Sequence, residues 1–338
     1  MFIYSYDTAN NLAMVTAPGQ SSRTQRKYVY ENLQFANALT GIIDENGKRF
    51  ATWNYDPQGR AFSSEHANGI DKFTIVFDQS GSSRVTDPLL TDRTLNFTPV
   101  FGIAKYSGES QRWVPDVRLH QRYVTFDDMG NVKTRTDFNG GLTTYGYDGA
   151  RKLETIRIEA VSTAVARTIR TSWHPTLAIV AAVSEPKLIT TYDLDDSGLV
   201  RSVTEQPTSD MDGTAGFDAP KAGLPRKWVY TYNPRGQLES EDGPRTDISD
   251  LTGYEYDLAT GNLQTVTNAV GQVTKYSNYD LLGRAGRIVA ANKVTIDLTY
   301  SPRGWVTSRT LTAQGKSLLT TYDYDGVRAI EKSNSPKS

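Results

Sequence analysis

Apolar and polar residues alternate along most of this chain, and one short phrase interrupts the alternation again and again. In Tyr4/Tyr6, Tyr145/Tyr147, Tyr230/Tyr232, Tyr254/Tyr256 and Tyr322/Tyr324 two aromatic residues are spaced by two. That spacing puts both rings on one face of a strand. An Asp or a substitute follows, then two loose residues, a Gly, a polar residue and an apolar one, as in Tyr55-Asp56-Pro57-Gln58-Gly59-Arg60 and Phe126-Asp127-Asp128-Met129-Gly130-Asn131-Val132. The apolar residue often has a second three positions on, as in Leu12/Val15, Val200/Val203 and Leu263/Val266. A gap of three breaks strict alternation and predicts a bulge, or a strand with both faces partly covered. Thr, Val and Ile are dense throughout, which suits strands. No stretch keeps a helical period; residues 160–169 are the most helix-tolerant.

The aromatic position (Leu at 194) falls at 6, 55, 126, 147, 194, 232, 256, 279, 300 and 324, with later gaps of 24, 23, 21 and 24 residues. Such a period fits one strand–turn–strand unit and its return connection, so the phrase is read as a building unit. Its residues spell a turn. Type I turns favour Asp, Asn or Ser first, Pro second and Gly fourth, and Asp56-Pro57-Gln58-Gly59, Asn233-Pro234-Arg235-Gly236 and Ser301-Pro302-Arg303-Gly304 satisfy all three. The predicted structural turn residues are Asp7, Asp56, Gly59, Asp127, Gly130, Asp148, Asp195, Gly198, Asn233, Gly236, Asp257, Gly261, Asp280, Gly283, Ser301, Gly304 and Asp325. The acid is expected to accept backbone N–H groups of its own turn, and the Gly to take positive φ. Asn10 stands in the glycine place of the first unit, and Asn tolerates the left-handed region. Gly149 and Gly326 come directly after their Asp, and Gly261 one residue late, so those turns should differ.

The expected fold class is all-β: tandem hairpins joined into one continuous, curved or spiralling antiparallel sheet. Residues 1–332 read as a single array with irregular or inserted segments about 78–122, 155–190 and 205–226, the last rich in Gly, Pro, Asp and Ala. Residues 333–338 read as a disordered tail.

Composition narrows the function. The net charge of −1 supplies no basic field for nucleic acid. Mean hydropathy of −0.50 is low for a compact globule, yet 19 Tyr, 11 Phe and 5 Trp point to aromatic packing rather than disorder. Cysteine is absent, which removes disulfides and thiolate metal sites. The longest apolar stretch, Leu177 to Val183, is too short for a membrane span, and the start of the chain lacks the pattern of a signal peptide.

Candidate chemistry is thin. Paired carboxylates could hydrolyse glycosides, but Asn233 and Ser301 replace the repeated Asp, and neither is a proton donor for that work. His66, His120 and His174 form no metal-ligand pattern. Asp210-Met211-Asp212-Gly213 resembles the start of a calcium loop, but the twelfth residue is Lys221 instead of Glu, and a flexible insertion is the expectation. No phosphate-binding loop is present, and no catalytic, metal or cofactor site is assigned. Exposed aromatic rows could stack on sugars or proteins.

The repeated Tyr-x-Tyr-Asp-x-x-Gly-x-Leu phrase resembles the bacterial RHS, or YD-repeat, family, related to the teneurin YD-repeat region, over roughly residues 4–330. Trp173-His174-Pro175-Thr176 and Asp242-Gly243-Pro244-Arg245 also resemble segments of long members. The resemblance implies a spiralling β-sheet shell that encapsulates a toxin, secreted or displayed at the cell surface, including by type VI secretion. The implied partners are the remaining parts of such a shell or its cargo. The self-cleaving core of complete members is not matched: Asp56-Pro57-Gln58-Gly59 is followed by Arg60 and reads as an ordinary turn. The chain is therefore expected to be a non-catalytic shell segment, curved but not closed. The alternative is a recognition module for a surface glycan or protein.

Overall fold

A computed structural model describes residues 1–18, 25–78, 81–112, 119–324 and 330–334. The first strands are β1 (Ile3–Tyr6), β2 (Leu12–Thr16), β3 (Gln25–Val29), β4 (Gly41–Ile43), β5 (Arg49–Tyr55), β6 (Ala61–His66), β7 (Phe73–Phe77), β8 (Ser82–Thr86), β9 (Asp92–Val100) and β10 (Ile103–Arg112). The middle of the chain forms β11 (Leu119–Phe126), β12 (Val132–Thr136), β13 (Leu142–Tyr147), β14 (Glu154–Glu159), β15 (Arg167–Trp173), β16 (Val180–Glu185), β17 (Leu188–Leu194), β18 (Val200–Pro207) and β19 (Arg226–Tyr232). The last strands are β20 (Leu238–Asp242), β21 (Thr252–Tyr256), β22 (Leu263–Thr267), β23 (Val273–Ser277), β24 (Arg287–Val289), β25 (Thr295–Tyr300), β26 (Val306–Ala313), β27 (Lys316–Tyr324) and β28 (Ile330–Asn334).

The 28 strands among the described residues belong to one sheet. Each pairs antiparallel with the strand before and after it in sequence, and β1 and β28 are its two edges among the described residues. The sheet is all-β and open, as the alternation predicts.

Register shows two unlike faces. Tyr145 lies opposite Arg157, Tyr192 opposite Val203, Val203 opposite Trp228, Tyr254 opposite Val266 and Tyr276 opposite Ile288, so rings and branched aliphatics share one face. The other carries Thr and Ser. Thr125 pairs with Thr134 at 2.6 Å, Thr231 with Ser240 at 2.6 Å and Thr299 with Ser308 at 2.6 Å between hydroxyl oxygens.

The sheet is a single layer. Ala51, Ile169 and Ala219 are the buried hydrophobic residues among those described, and the accessible surface is 21615 Å². A compact protein of this mass would expose about 13,800 Å². The low hydropathy thus matches a thin sheet with both faces largely exposed.

The segments that broke the short period are mostly strands. Residues 82–112 form β8 to β10, and 167–190 form β15, β16 and the start of β17. The helix-tolerant stretch 160–169 is a loop that enters β15 at Arg167, where Arg167 pairs with Glu159. The 205–226 segment departs furthest: β18 runs to Pro207, and the loop beyond it folds back on the sheet. The Thr168 N–H donates to the Asp212 carbonyl at 2.7 Å and the Lys187 N–H to the Asp210 carbonyl at 2.7 Å. The loop read as flexible is therefore docked by its backbone, and it covers the best-buried part of the sheet around Thr168, Ile169 and Ser184. Ser333 and Asn334, read as the start of a tail, pair with Tyr322 and Thr321 in β28.

The ribbon coils. The turn between β25 and β26 touches the turn between β4 and β5: Arg303 Nη1 lies 3.1 Å from Asp44 Oδ2, with both side chains buried. The guanidinium also lies 4.0 Å from the Trp305 ring centroid and 4.7 Å from that of Phe50. Asp44 Oδ1 accepts the N–H groups of Asn46 and Lys48 at 2.9 and 2.8 Å. One circuit of the spiral thus takes about twenty-one strands before rim meets rim.

Removing one partner of a buried pair strands the other charge, which costs about 3–5 kcal/mol. Arg303→Ala should lower the unfolding midpoint accordingly and raise the radius of gyration in X-ray scattering as the coil loosens. Arg303→Met with Asp44→Asn should recover much of the loss. An Arg303→Ala protein with unchanged scattering and melting would show that this seam does not hold the coil.

Candidate functional site

The repeated turns are the most regular chemistry in the molecule. Every Tyr-Asp phrase joins an odd-numbered strand to the even-numbered strand after it. In a meander such connections all lie on one rim, so the phrases form a column along that rim.

Within a turn the atoms follow one plan. Asp56 Oδ1 accepts the N–H groups of Gln58 and Arg60 at 3.0 and 2.9 Å. Asp7 does the same with Ala9 and Asn11, Asp127 with Met129 and Asn131, Asp195 with Ser197 and Leu199, and Asp280 with Leu282 and Arg284. The second oxygen takes the side chain four residues on: Asn11, Arg60, Asn131 or Arg284. This accounts for the polar residue after the Gly. The third and fifth N–H groups go to the acid's side chain and the fourth to its carbonyl, so a Pro at the second place costs no bond. Asn233 Oδ1 replaces the carboxylate toward Arg235 and Gln237, and Ser301 Oγ accepts from the Trp305 N–H.

Gly59, Gly130, Gly198, Gly236, Gly283 and Gly304 have φ between 75° and 91°, and Asn10 has φ 63°. The turns at Asp148 and Asp257 are one residue longer: their N–H groups reach the carbonyls of Leu153 and Asn262. Lys152, with φ 58°, takes the left-handed place in the first and Gly261, with φ 75°, in the second. Asp325 lies outside the described residues.

Sequence reading missed two members of this rim and the matching turns of the other. Phe77-Asp78…Gly81 closes β7 to β8, with the Asp78 N–H on the Ser82 carbonyl and Gly81 at φ 80°. Trp173-His174 closes β15 to β16. His174 Nδ1 accepts the N–H groups of Thr176 and Leu177 at 3.3 and 3.1 Å, the place an Asp oxygen would fill. On the opposite rim Asp44, Asp87, Asp137 and Asn268 open turns of the same kind. The Asp-x-x-Gly spacing was visible at Asp44 and Asp137, and Asn268 has its Gly at the same distance; the aromatic requirement hid the turns with Ile43, Thr86, Thr136 or Thr267 in front.

The aromatic has its own task. The hydroxyls of Tyr30, Tyr55, Tyr147, Tyr232, Tyr279, Tyr300 and Tyr324 donate to the carbonyls of Leu12, Leu39, Val132, Val200, Leu263, Ala285 and Val306 at 2.6–3.2 Å. Trp173 Nε1 reaches the Glu154 carbonyl at 2.8 Å. Each acceptor sits two residues before the first ladder pair, as Val132 does before Thr134↔Thr144. There the strands diverge toward their turns, and the ring spans the gap that backbone pairing leaves.

Side chains also tie several turns to the next. Arg151 donates to the carbonyls of His174 and Leu177, Gln237 to Gly261 at 2.8 Å, Arg284 to Ser301 at 3.3 Å and Lys105 to Gly130 at 2.6 Å. The rim is thus a column of turns, several of them joined by polar ties. The carboxylates of Asp7, Asp56, Asp127, Asp195, Asp257 and Asp280 are held ionised. The Asn11 N–H lowers the Asp7 pKa, the Ser197 hydroxyl that of Asp195 and the Thr260 N–H that of Asp257. At Asp56 desolvation acts upward, but the bonds from Arg60 and Gln58 outweigh it. A carboxyl held ionised is a poor general acid near neutral pH.

Of the histidines, His66 Nδ1 lies 3.3 Å from the Phe50 carbonyl on β6, His120 lies on β11 opposite Gln111, and His174 sits in its turn. Asp210 and Asp212 spend their oxygens on Gly213, Thr214 and Ala215 of their own loop. Among the described residues no group of three or more His, Cys, Asp or Glu is placed to hold a metal, and no helix is long and apolar enough to cross a membrane.

The same spiral occurs in solved proteins. The chain superposes on the crystal structure of TcdB2-TccC3-Cdc42 with a TM-score of 0.62 and 13% identity, covering 98% of this chain and 20% of that one. The fold is RHS-like. The Photorhabdus luminescens Tc holotoxin pore, in a form with a mutated TccC3, matches with a TM-score of 0.55 and 14% identity over 96% of this chain and 20% of that one. The RHS-like chain spans about a fifth of the length of these solved chains. No family model and no curated protein sequence matches it.

Gly59→Ala, Gly236→Ala and Gly304→Ala should each destabilise the protein by about 1 kcal/mol or more, because Ala resists positive φ. Gly149→Ala, at ordinary φ with open space around it, should be neutral in the same urea melts. Tyr147→Phe or Tyr232→Phe removes one hydroxyl bond and should cost about 1 kcal/mol.

Stability should also show two edges in pH. Asp7, Asp56, Asp127, Asp195, Asp257 and Asp280 have pKa values lowered from 3.8, so their contribution is intact above that value and lost as pH falls through the lowered folded values. Desolvation raises Tyr55, Tyr147, Tyr232 and Tyr279 above 10.0, so stability is intact below pH 10.0 and lost as pH climbs through the raised values. Urea midpoints should be flat from about pH 5 to 9 and fall on both sides. A steady slope across the neutral range would contradict these assignments.

Proposed function

We propose that this chain is a non-catalytic wall segment of an RHS-type shell that encloses or presents a toxin. The observation that carries the reading is a 28-stranded single-layer ribbon that coils until its rims meet, with a surface of 21615 Å² and almost no interior of its own. The likeness to Tc toxin structures over nearly the whole chain supports the scaffold role. On this reading the partners are the rest of a shell and its cargo, the site of action is outside the cell or at its surface, and delivery is by a secretion route such as type VI. The proposed role of Asp7, Asp56, Asp127, Asp148, Asp195, Asn233, Asp257, Asp280, Ser301 and Asp325, with their glycines, is to shape turns.

A second reading, recognition of a surface glycan or protein, draws on the aromatic face.

The test is co-expression with the products of neighbouring reading frames. The expected result is a particle in which a toxic product resists added protease while Arg303→Ala exposes it. If that product is digested as fast in the particle as alone, the shell reading fails. Sustained polysaccharide hydrolysis that one carboxylate substitution abolishes would replace it with an enzyme.

A further inference from the structure

We propose that a cleft on the aromatic face between β10 and β13 binds an extended peptide through an acidic side chain flanked by an aromatic or aliphatic one. The cleft has a volume of about 610 Å³, within the usual range for ligand sites. Glu109 lies opposite Arg122, Val124 opposite Arg135 and Arg135 opposite Thr143, with Tyr145 two residues further on, so these side chains share one face.

One wall is rigid and its charges are settled. Arg122 Nη2 lies 2.7 Å from Glu109 Oε2, the Tyr106 hydroxyl donates to the same oxygen at 3.0 Å, and Arg122 Nε donates to the Tyr106 oxygen at 3.0 Å. Glu109 is 5% exposed, and the Arg122 guanidinium lies 5.3 Å from the Phe138 ring centroid. A wall fixed in this way needs little ordering when a ligand arrives.

The other side has an unmatched cation. Arg135 lies 5.8 Å from the Tyr145 ring centroid, is exposed, and pairs with no acid among the described residues. Asp137 lines the cleft, but its Oδ1 accepts the N–H groups of Asn139 and Gly141 at 2.8 Å each. Lys105 spends a donor on the Gly130 carbonyl and faces the Phe126 ring at 5.3 Å. Three cations, Lys105, Arg122 and Arg135, thus stand against two anions, Glu109 and Asp137, which leaves one positive charge beside apolar rings. A guanidinium with free donors next to an aromatic ring suits a carboxylate. The remaining lining, Val124, Phe126, Val132 and Phe138, is apolar. A sugar would need a dense set of unspent polar groups; a peptide with one carboxylate and an apolar neighbour does not.

The proposal does not depend on the shell reading, because a lone sheet would bind equally well. The probe is a fluorescein-labelled peptide, Gly-Phe-Asp-Phe-Gly, compared with its Asn counterpart by fluorescence anisotropy. The Asp peptide should bind about tenfold more tightly, a difference typical of one charge-assisted contact. Arg135→Gln should erase that preference, Arg135→Lys should keep part of it, and Lys227→Gln, on the opposite face, should leave it unchanged. Circular dichroism melts establish that the variants are folded. Equal binding of the two peptides, no binding, or an unaltered preference in Arg135→Gln overturns the proposal. A uronic acid oligosaccharide that binds the parent while neither peptide does overturns it in favour of a glycan.

Discussion

Lateral pairing of each strand with its neighbour in sequence is the constraint on which this structure rests. A single layer has no opposing sheet or helix to press against, so burial cannot supply the usual cohesion. What remains is the ladder, the cross-strand side-chain contacts and whatever closes the ladder where strands part. The tyrosine hydroxyls occupy those parting points. Phe would fill the same space but leave a main-chain carbonyl without its bond, which explains why the aromatic before the acid is so often Tyr.

Meander topology turns a local phrase into a global asymmetry. Because the phrase always follows an odd strand, one rim collects tyrosines, acids and the side chains that tie turn to turn. The other rim has similar turns without the rings, and it also has the long 208–225 loop. Where the coil closes on itself, unlike rims meet, so the Arg303–Asp44 contact joins a Tyr-Asp-type turn to a plain one. Arg303 could not be singled out in the sequence, since in Ser301-Pro302-Arg303-Gly304 it occupies a loose position that any residue can take.

The sheet and most of its turns were legible because their determinants are local. Asp56-Pro57-Gln58-Gly59 states its own geometry, and paired rings such as Tyr230 and Tyr232 state the face of their strand. Trp173-His174 was not legible as a turn of this class, because an imidazole nitrogen standing in for a carboxylate oxygen is a matter of position rather than of residue type. The docking of the 208–225 loop escaped for another reason. Gly, Pro and Asp describe what a backbone tolerates, whereas the bonds of Thr168 and Lys187 to that loop depend on residues 44 and 23 positions away. The cleft around Arg135 is equally non-local, since four strands contribute to it and register alone aligns them.

The neighbour-only pairing bears on how such a chain acquires its structure. Contacts between adjacent strands span few residues, so each hairpin can form on the edge left by the one before it. A ribbon of this kind can be laid down in the order of synthesis, with the growing edge always the newest strand. The clasp between Asp44 and Arg303 is a long-range exception: its halves emerge far apart in time, and it can lock only after a full circuit has wound. Curvature built strand by strand must therefore be accurate enough to bring the two together, and the clasp reports on the accumulated error of every turn in between.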